Sequence, residues 1–141
     1  MDYLKEFNRI LDETNRIALA TAVDNMPNVR VVNFCYNQNK GVIYISSFRG
    51  HPKTLEFSKN NIVAFTTIPL SSKSSDHVRV RNAKIKKSDL TIYELKDEFI
   101  KKLPDYEAII AQAGEMLDVY EICFNEAAVV LDLGKGGKVT F

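Results

Sequence analysis

Four residues in the first half of the chain carry groups suited to an anion: Arg30, Ser46, Ser47 and Lys53. Arginine offers a planar fork of donors, lysine a compact point charge, and serine a hydroxyl. Lys53 follows Pro52, and proline favours the first position of a helix, where free amides add donors for a negative group. Fork, point charge, hydroxyl and helix N-terminus together make a phosphate site. Taken singly, Arg30 and Lys53 read as ordinary surface charges. Their order along residues 30–53 raises the functional reading.

Other chemistry-bearing residues point less far. His51 and His77 are the only histidines, and two imidazoles fall short of the three or four ligands of a metal site. The glycines of GKGG (134–137) miss the spacing of both phosphate-loop fingerprints and leave no room for a following helix, so they read as a turn. Cys35 and Cys123 stand in strand-like runs with no C-x-x-C, which predicts buried, reduced thiols.

Charge is uneven. Residues 54–87 hold 7 basic and 2 acidic groups, residues 88–141 hold 5 basic and 11 acidic, and the whole chain nets +1. All 6 arginines lie at or before Arg81, so any guanidinium chemistry belongs to the first part of the chain. The cluster Lys73, Arg79, Arg81, Lys84, Lys86 and Lys87 sits in a nearly neutral protein, which favours a solvated or ligand-facing strand over nucleic acid.

The elements that must position these residues follow from periodicity. Leu4, Phe7, Ile10 and Leu11 make one helical face in residues 2–15. Strands are predicted at 16–23, 29–36 and 42–47, joined by short turns as in a meander. A short helix starts at Pro52 and ends near Asn60, followed by a strand at 61–68 and a Ser-rich loop. A long strand at 77–87 places His77, Arg79 and Arg81 on one face and Val78 and Val80 on the other. Ser88 opens a helix to about Leu103, Pro104 opens another that closes near Gly114, and strands at 117–124 and 127–133 finish the pattern. The expected class is α+β, mainly β: a small six- to seven-stranded antiparallel split β-barrel with peripheral helices. Length and composition, 141 residues with 45% hydrophobic and 26% charged, predict one domain over 1–141 with a core of its own. No apolar run reaches a membrane span and the N-terminal residues lack a signal-peptide pattern, so the expectation is a soluble cytoplasmic protein with no membrane or nucleic-acid partner.

The blocks IALATAVDNMPNVRVVNF, GVIYISSFRGHPKTLEFSKNNIVAFT and HVRVRNAKI together resemble the pyridoxamine 5′-phosphate oxidase-like, FMN-binding split-barrel family. The resemblance is good over residues 16–87 and continues beyond only in element order. It implies that Arg30 and Lys53 bind the FMN phosphate with help from the Ser47 hydroxyl. It also implies that Arg30, Val31, Val32 and Asn33, with the Ser46-Ser47 strand end, line the isoalloxazine through backbone groups. His77 falls where the family often has a glutamine reaching the flavin, and the family's site between subunits implies a homodimer.

The departures bear on substrate. Pyridoxine-phosphate oxidases carry a substrate-binding lysine five residues after the strand arginine, where this chain has Cys35. They also carry a C-terminal Trp and Arg, whereas this chain has no Trp and no arginine after Arg81. Oxidation of pyridoxine phosphate is therefore not expected. The leading reading is an FMN-dependent oxidoreductase of unassigned substrate and electron donor. The alternative is a non-catalytic protein holding FMN or haem on the same barrel, with His51 and His77 keeping haem open. For the basic face of Arg79 and Arg81 the two uses are an anionic substrate and pairing with the acidic C-terminal third across a subunit interface. The sequence favours the second.

Overall fold

The computed structural model describes residues 2–141. The elements in chain order are α1 (Tyr3–Glu13), β1 (Arg16–Val23), β2 (Met26–Asn33), β3 (Cys35–Asn37), β4 (Val42–Phe48), α2 (Pro52–Lys59), β5 (Ile62–Thr67) and β6 (His77–Lys87). They continue with α3 (Lys96–Lys102), α4 (Tyr106–Ala113), β7 (Leu117–Cys123), β8 (Glu126–Val130) and β9 (Gly136–Thr140). The strands form one antiparallel sheet in the order β2-β1-β5-β6-β7-β4-β3, with β8 joined to β6 and β9 to β8.

β2 and β3 lie at opposite ends of that path, yet only Phe34 separates them in sequence. Two Cα steps span at most about 7 Å, so the sheet must curl until its edges nearly meet. β2 passes beside β4 without a hydrogen-bonded ladder, which leaves the barrel split. The single strand expected at 29–36 is therefore two strands. Phe34, fully buried, is the corner at which the chain leaves β1 and joins β4. The β1–β2 hairpin turns through Asp24 and Asn25 at φ 51° and 65°, the left-handed pair a two-residue hairpin needs.

Period-two alternation sends Ile17 and Leu19 of β1, Ile43 and Ile45 of β4, Phe65 of β5 and Val78 and Val80 of β6 into the barrel interior. α1 closes one end with Phe7, Ile10 and Leu11. A second cluster, including Tyr44, Ile92, Phe99 and Ile110, packs α3 and α4 against the other face of β4 and β7.

Two further differences from the expected elements have local causes. The helix expected from Ser88 to Leu103 is only α3. Ser88 Oγ accepts the Leu90 amide, and Thr91 and Glu94 bond each other's amides and side chains. Such local bonds compete with a helical ladder. The glycine-rich tail is a turn followed by a ninth strand. A Cβ on Gly136 would lie 2.6 Å from the Val129 carbonyl, and one on Gly137 would meet the Tyr3 ring at 2.3 Å. The backbone clash makes Gly136 necessary for β9 to pair with β8, while a side chain at Gly137 would displace the Tyr3 ring.

Candidate functional site: an arginine and a lysine at the first turn of α2

Arg30 pairs across the hairpin with Leu19, and directly opposed residues share a face, so its side chain follows Leu19 to the inner side. There the guanidinium donates to Thr21 Oγ1 at 2.9 Å and to the Leu19 carbonyl at 3.5 Å, and it ion-pairs with Glu56. Glu56 stands one turn into α2, and its other oxygen accepts from Thr21 Oγ1 and Asn28 Nδ2, each at 3.2 Å. The edge strand is thereby docked against the first turns of α2.

Lys53 belongs to the same cluster. It is half-buried, and loss of solvent lowers the pKa of its ammonium, with the Arg30 guanidinium lowering it further. Among the described residues it makes no ion pair. Arg30 thus takes the carboxylate of Glu56, and Lys53 beside it is an uncompensated positive charge at a partly desolvated place. The helix N-terminus contributes less than the sequence implied. His51 caps α2, its Nδ1 accepting the Lys53 amide at 3.2 Å and its carbonyl accepting the Thr54 amide at 3.0 Å.

The two serines diverge. Ser47 is buried and faces the interior with Ile43 and Ile45, while Ser46 turns outward and bonds the Tyr106 hydroxyl of α4 at 3.1 Å. Along β2, Val31 is exposed on the outer face, Val32 packs toward the interior, and half-buried Asn33 ends the strand. β2 pairs only with β1, so its outward backbone groups have no sheet partner. His77 lies three strands from β2 and shares the outer face with Arg79, its Nδ1 2.8 Å from the Ser75 carbonyl. The chain brings Arg30 and Lys53 together and leaves His77 and the Ser46 hydroxyl apart from them. Thr21, Asn28 and Glu56 were not read from the sequence. A polar Thr21 in the inward series Ile17, Leu19, Thr21 was the one available signal.

The outer face of β2-β1-β5 is made of small or apolar side chains. Val31, Ala18 and Thr66 form one row and Val29, Ala20 and Ala64 the next, with Val29 and Val31 exposed. Elsewhere, a cleft of 640 Å³ opens between α1 and α3. Lys102 crosses it, donating to the Leu11 carbonyl at 2.5 Å with Nζ 3.9 Å from the Phe34 ring centre. Burial lowers its pKa to about 8 and pushes the nearby Cys35 thiol up to about 12. Both cysteines are free thiols; Cys35 is buried and Cys123 half-buried. Among the described residues no cluster of three metal-ligating side chains occurs, and no helix is long and apolar enough to cross a membrane.

The family model described as pyridoxamine 5′-phosphate oxidase-like matches residues 10–136 of this chain. No curated protein sequence matches it significantly. Solved structures share the fold. General stress protein 26 from Bacillus anthracis superposes with TM-score 0.70 at 14% identity, covering 99% of this chain and 100% of that one. An FAD-binding protein from Mesorhizobium loti gives 0.67 at 16%, covering 98% and 93%. A haem-binding protein from Mycobacterium smegmatis gives 0.74 at 14%, with 99% of this chain covering 58% of that one. At such identities the likeness is one of fold.

Proposed function

The chain belongs to the pyridoxamine 5′-phosphate oxidase-like family, and from that premise we propose that it is an FMN-binding flavoprotein, an oxidoreductase acting on a small molecule, with its cofactor at a homodimer interface. The observation that carries the reading is the half-buried, unpaired Lys53 beside Arg30. A protein gains nothing in stability by holding two cations together away from water; a phosphate dianion between them turns that cost into attraction. Arg30 retains guanidinium donors beyond those used on Thr21, Leu19 and Glu56, since the group carries five N–H bonds. The unpaired outer edge of β2 at Val31, Val32 and Asn33 offers amides and carbonyls to the polar rim of a flavin ring.

Bound FMN supplies the hydride chemistry, and this chain's residues hold and shield the cofactor. The uncovered face of Ala18, Ala20, Ala64 and Thr66 suits a second copy packed closely against it, because small side chains let two sheets approach. A 141-residue barrel has too little wall to enclose a flavin alone, so that copy would complete the site. Ser47 and His77 enter this reading as residues at its margins, His77 reaching a flavin only from the outer face.

The absorbance spectrum of the protein purified without added cofactor tests the proposal. A flavin spectrum that persists through gel filtration is the expected result. A Soret band in its place would select haem, the ligand named for the Mycobacterium smegmatis structure. Failure of FMN to bind on reconstitution would refute the flavin reading.

A further inference from the structure

Beside the sheet face proposed for the second copy, where Thr66 stands opposite Arg79, the outer face of β6 carries a second concentration of positive charge. Residues Arg79, Arg81, Asn82, Asn125, Glu126 and Lys138 line a cleft of 490 Å³ where β6 meets β8 and β9. Its construction is specific. β5 and β6 slip register between Val63 and Phe65, so that Arg81 and Asn82 together stand opposite Ala64. A bulge of this kind re-aims a side chain, and here both residues are exposed on the cleft side. Arg79 continues through Ala128 to Lys138 in one row across β6, β8 and β9.

Among the described residues neither Arg79 nor Arg81 meets a carboxylate. The one acid lining the cleft among the described residues, Glu126, is 3.3 Å from Lys138. Three cations against one carboxylate leave the cleft strongly positive in a chain whose net charge is only +1. The acidic C-terminal third therefore does not neutralise these arginines within the chain, although its strands β8 and β9 form the cleft wall.

We propose that this cleft binds the pyrophosphate group of a small ligand. Arginine forks and side-chain amides are the donors such a group needs. Two residues along a strand set Arg79 and Arg81 about 7 Å apart at the backbone, and two strands set Lys138 about 10 Å from Arg79. Three cations at that spacing match the charge of two linked phosphates better than that of a single one. The open cleft has the volume of a small-molecule site, whereas the nearly neutral chain lacks the broad field that draws a nucleic acid.

The experiment is calorimetric titration of the purified protein with inorganic pyrophosphate, ADP and NADH in parallel, against inorganic phosphate. At least one of the three pyrophosphate compounds is expected to bind saturably, once per chain and more tightly than phosphate. The tightest of them identifies the source of the group. Arg79→Gln and Arg81→Gln should each weaken it at least tenfold, and Lys40→Gln, at an exposed cation outside both sites, should leave it unchanged. Binding lost in Lys53→Gln but kept in the arginine variants would overturn the proposal, as would no saturable binding. A fall from dimer to monomer in the arginine variants with pyrophosphate binding intact would also overturn it, assigning them to the subunit interface. FMN retention is read separately, so failure of the flavin reading is distinguishable from failure here.

Discussion

Replacing Lys53 by methionine should move apo-protein stability and flavin affinity in opposite directions. Methionine keeps the aliphatic length and removes the charge. In the apo protein the Lys53 pKa is lowered, by burial first and by Arg30 second. The folded state therefore binds this proton less tightly than the unfolded chain does. That penalty is fully present below the folded pKa and is relieved as pH rises toward the unfolded value near 10.4. Lys53→Met should then raise the apo melting temperature at neutral pH, with the gain shrinking as pH rises toward about 10.4. FMN affinity should fall. A charge-assisted hydrogen bond is worth about 1.5–3 kcal/mol, or roughly 10- to 150-fold in Kd. The bare attraction at 4 Å, about 4 kcal/mol at an effective dielectric of 20, sets the ceiling. Arg30→Met should lose flavin affinity too, but it leaves Glu56 without its partner, so apo stability should drop. Thermal unfolding with and without FMN, and flavin fluorescence quenching, measure both quantities. A Lys53→Met protein that melts lower and binds FMN as before would show that the lysine is structural and the reasoning wrong.

Other outcomes follow from the same structure. Sedimentation should give a mass near twice 16.0 kDa, and Ala20→Glu, in the middle of the uncovered sheet face, should yield monomers that retain the fold but lose FMN. A monomeric parent protein that binds FMN tightly would contradict the shared site. FMN-loaded protein should not be reduced by pyridoxine 5′-phosphate in anaerobic stopped flow, because Cys35 stands where the family's substrate-binding lysine belongs and the chain has no Trp and no arginine after Arg81; rapid bleaching would refute this. Between about pH 8.5 and 10, Lys102 and Cys35 act oppositely on stability. The lowered lysine makes stability rise with pH, and the raised thiol makes it fall. Cys35→Ala should therefore gain stability relative to the parent as pH rises through this window, Lys102→Met should lose it, and parallel denaturation curves would refute both assignments.

How much of this was legible in the sequence depended on whether the information was local. The β1–β2 hairpin announced itself through a turn read over Asp24 to Asn28, of which Met26, Pro27 and Asn28 belong to β2 instead, and β6 through the alternation of Val78 and Val80 with Arg79 and Arg81, because turn chemistry and period two act over a few residues. The break at Phe34 did not announce itself. VRVVNFCY alternates without interruption, and only the curl of the whole sheet forces one residue to hand the strand from β1 to β4. β9 was hidden for a related reason. Gly136 and Gly137 have low strand preference, and their need for close approach to Val129 and Tyr3 exists only once β8 and α1 are in place.

The candidate site divides along the same line. That Arg30 and Lys53 belong to one site was legible from their order along residues 30–53 and from the family resemblance, not from a shared hairpin, since β2 pairs with β1 and α2 follows β4. What surrounds them was not. Glu56 lies on the helix face that β2 docks against, and nothing in its spacing from Arg30, 26 residues away, distinguishes it from a solvent-facing glutamate. Yet Glu56 sets the local balance of charge. With it, Arg30 is held in place before any ligand arrives, and Lys53 is the cation left without a counter-ion. The arginine thus acts as a pre-positioned fork and the lysine as the charge that a phosphate neutralises. This is why the two substitutions should part company in stability while agreeing in affinity.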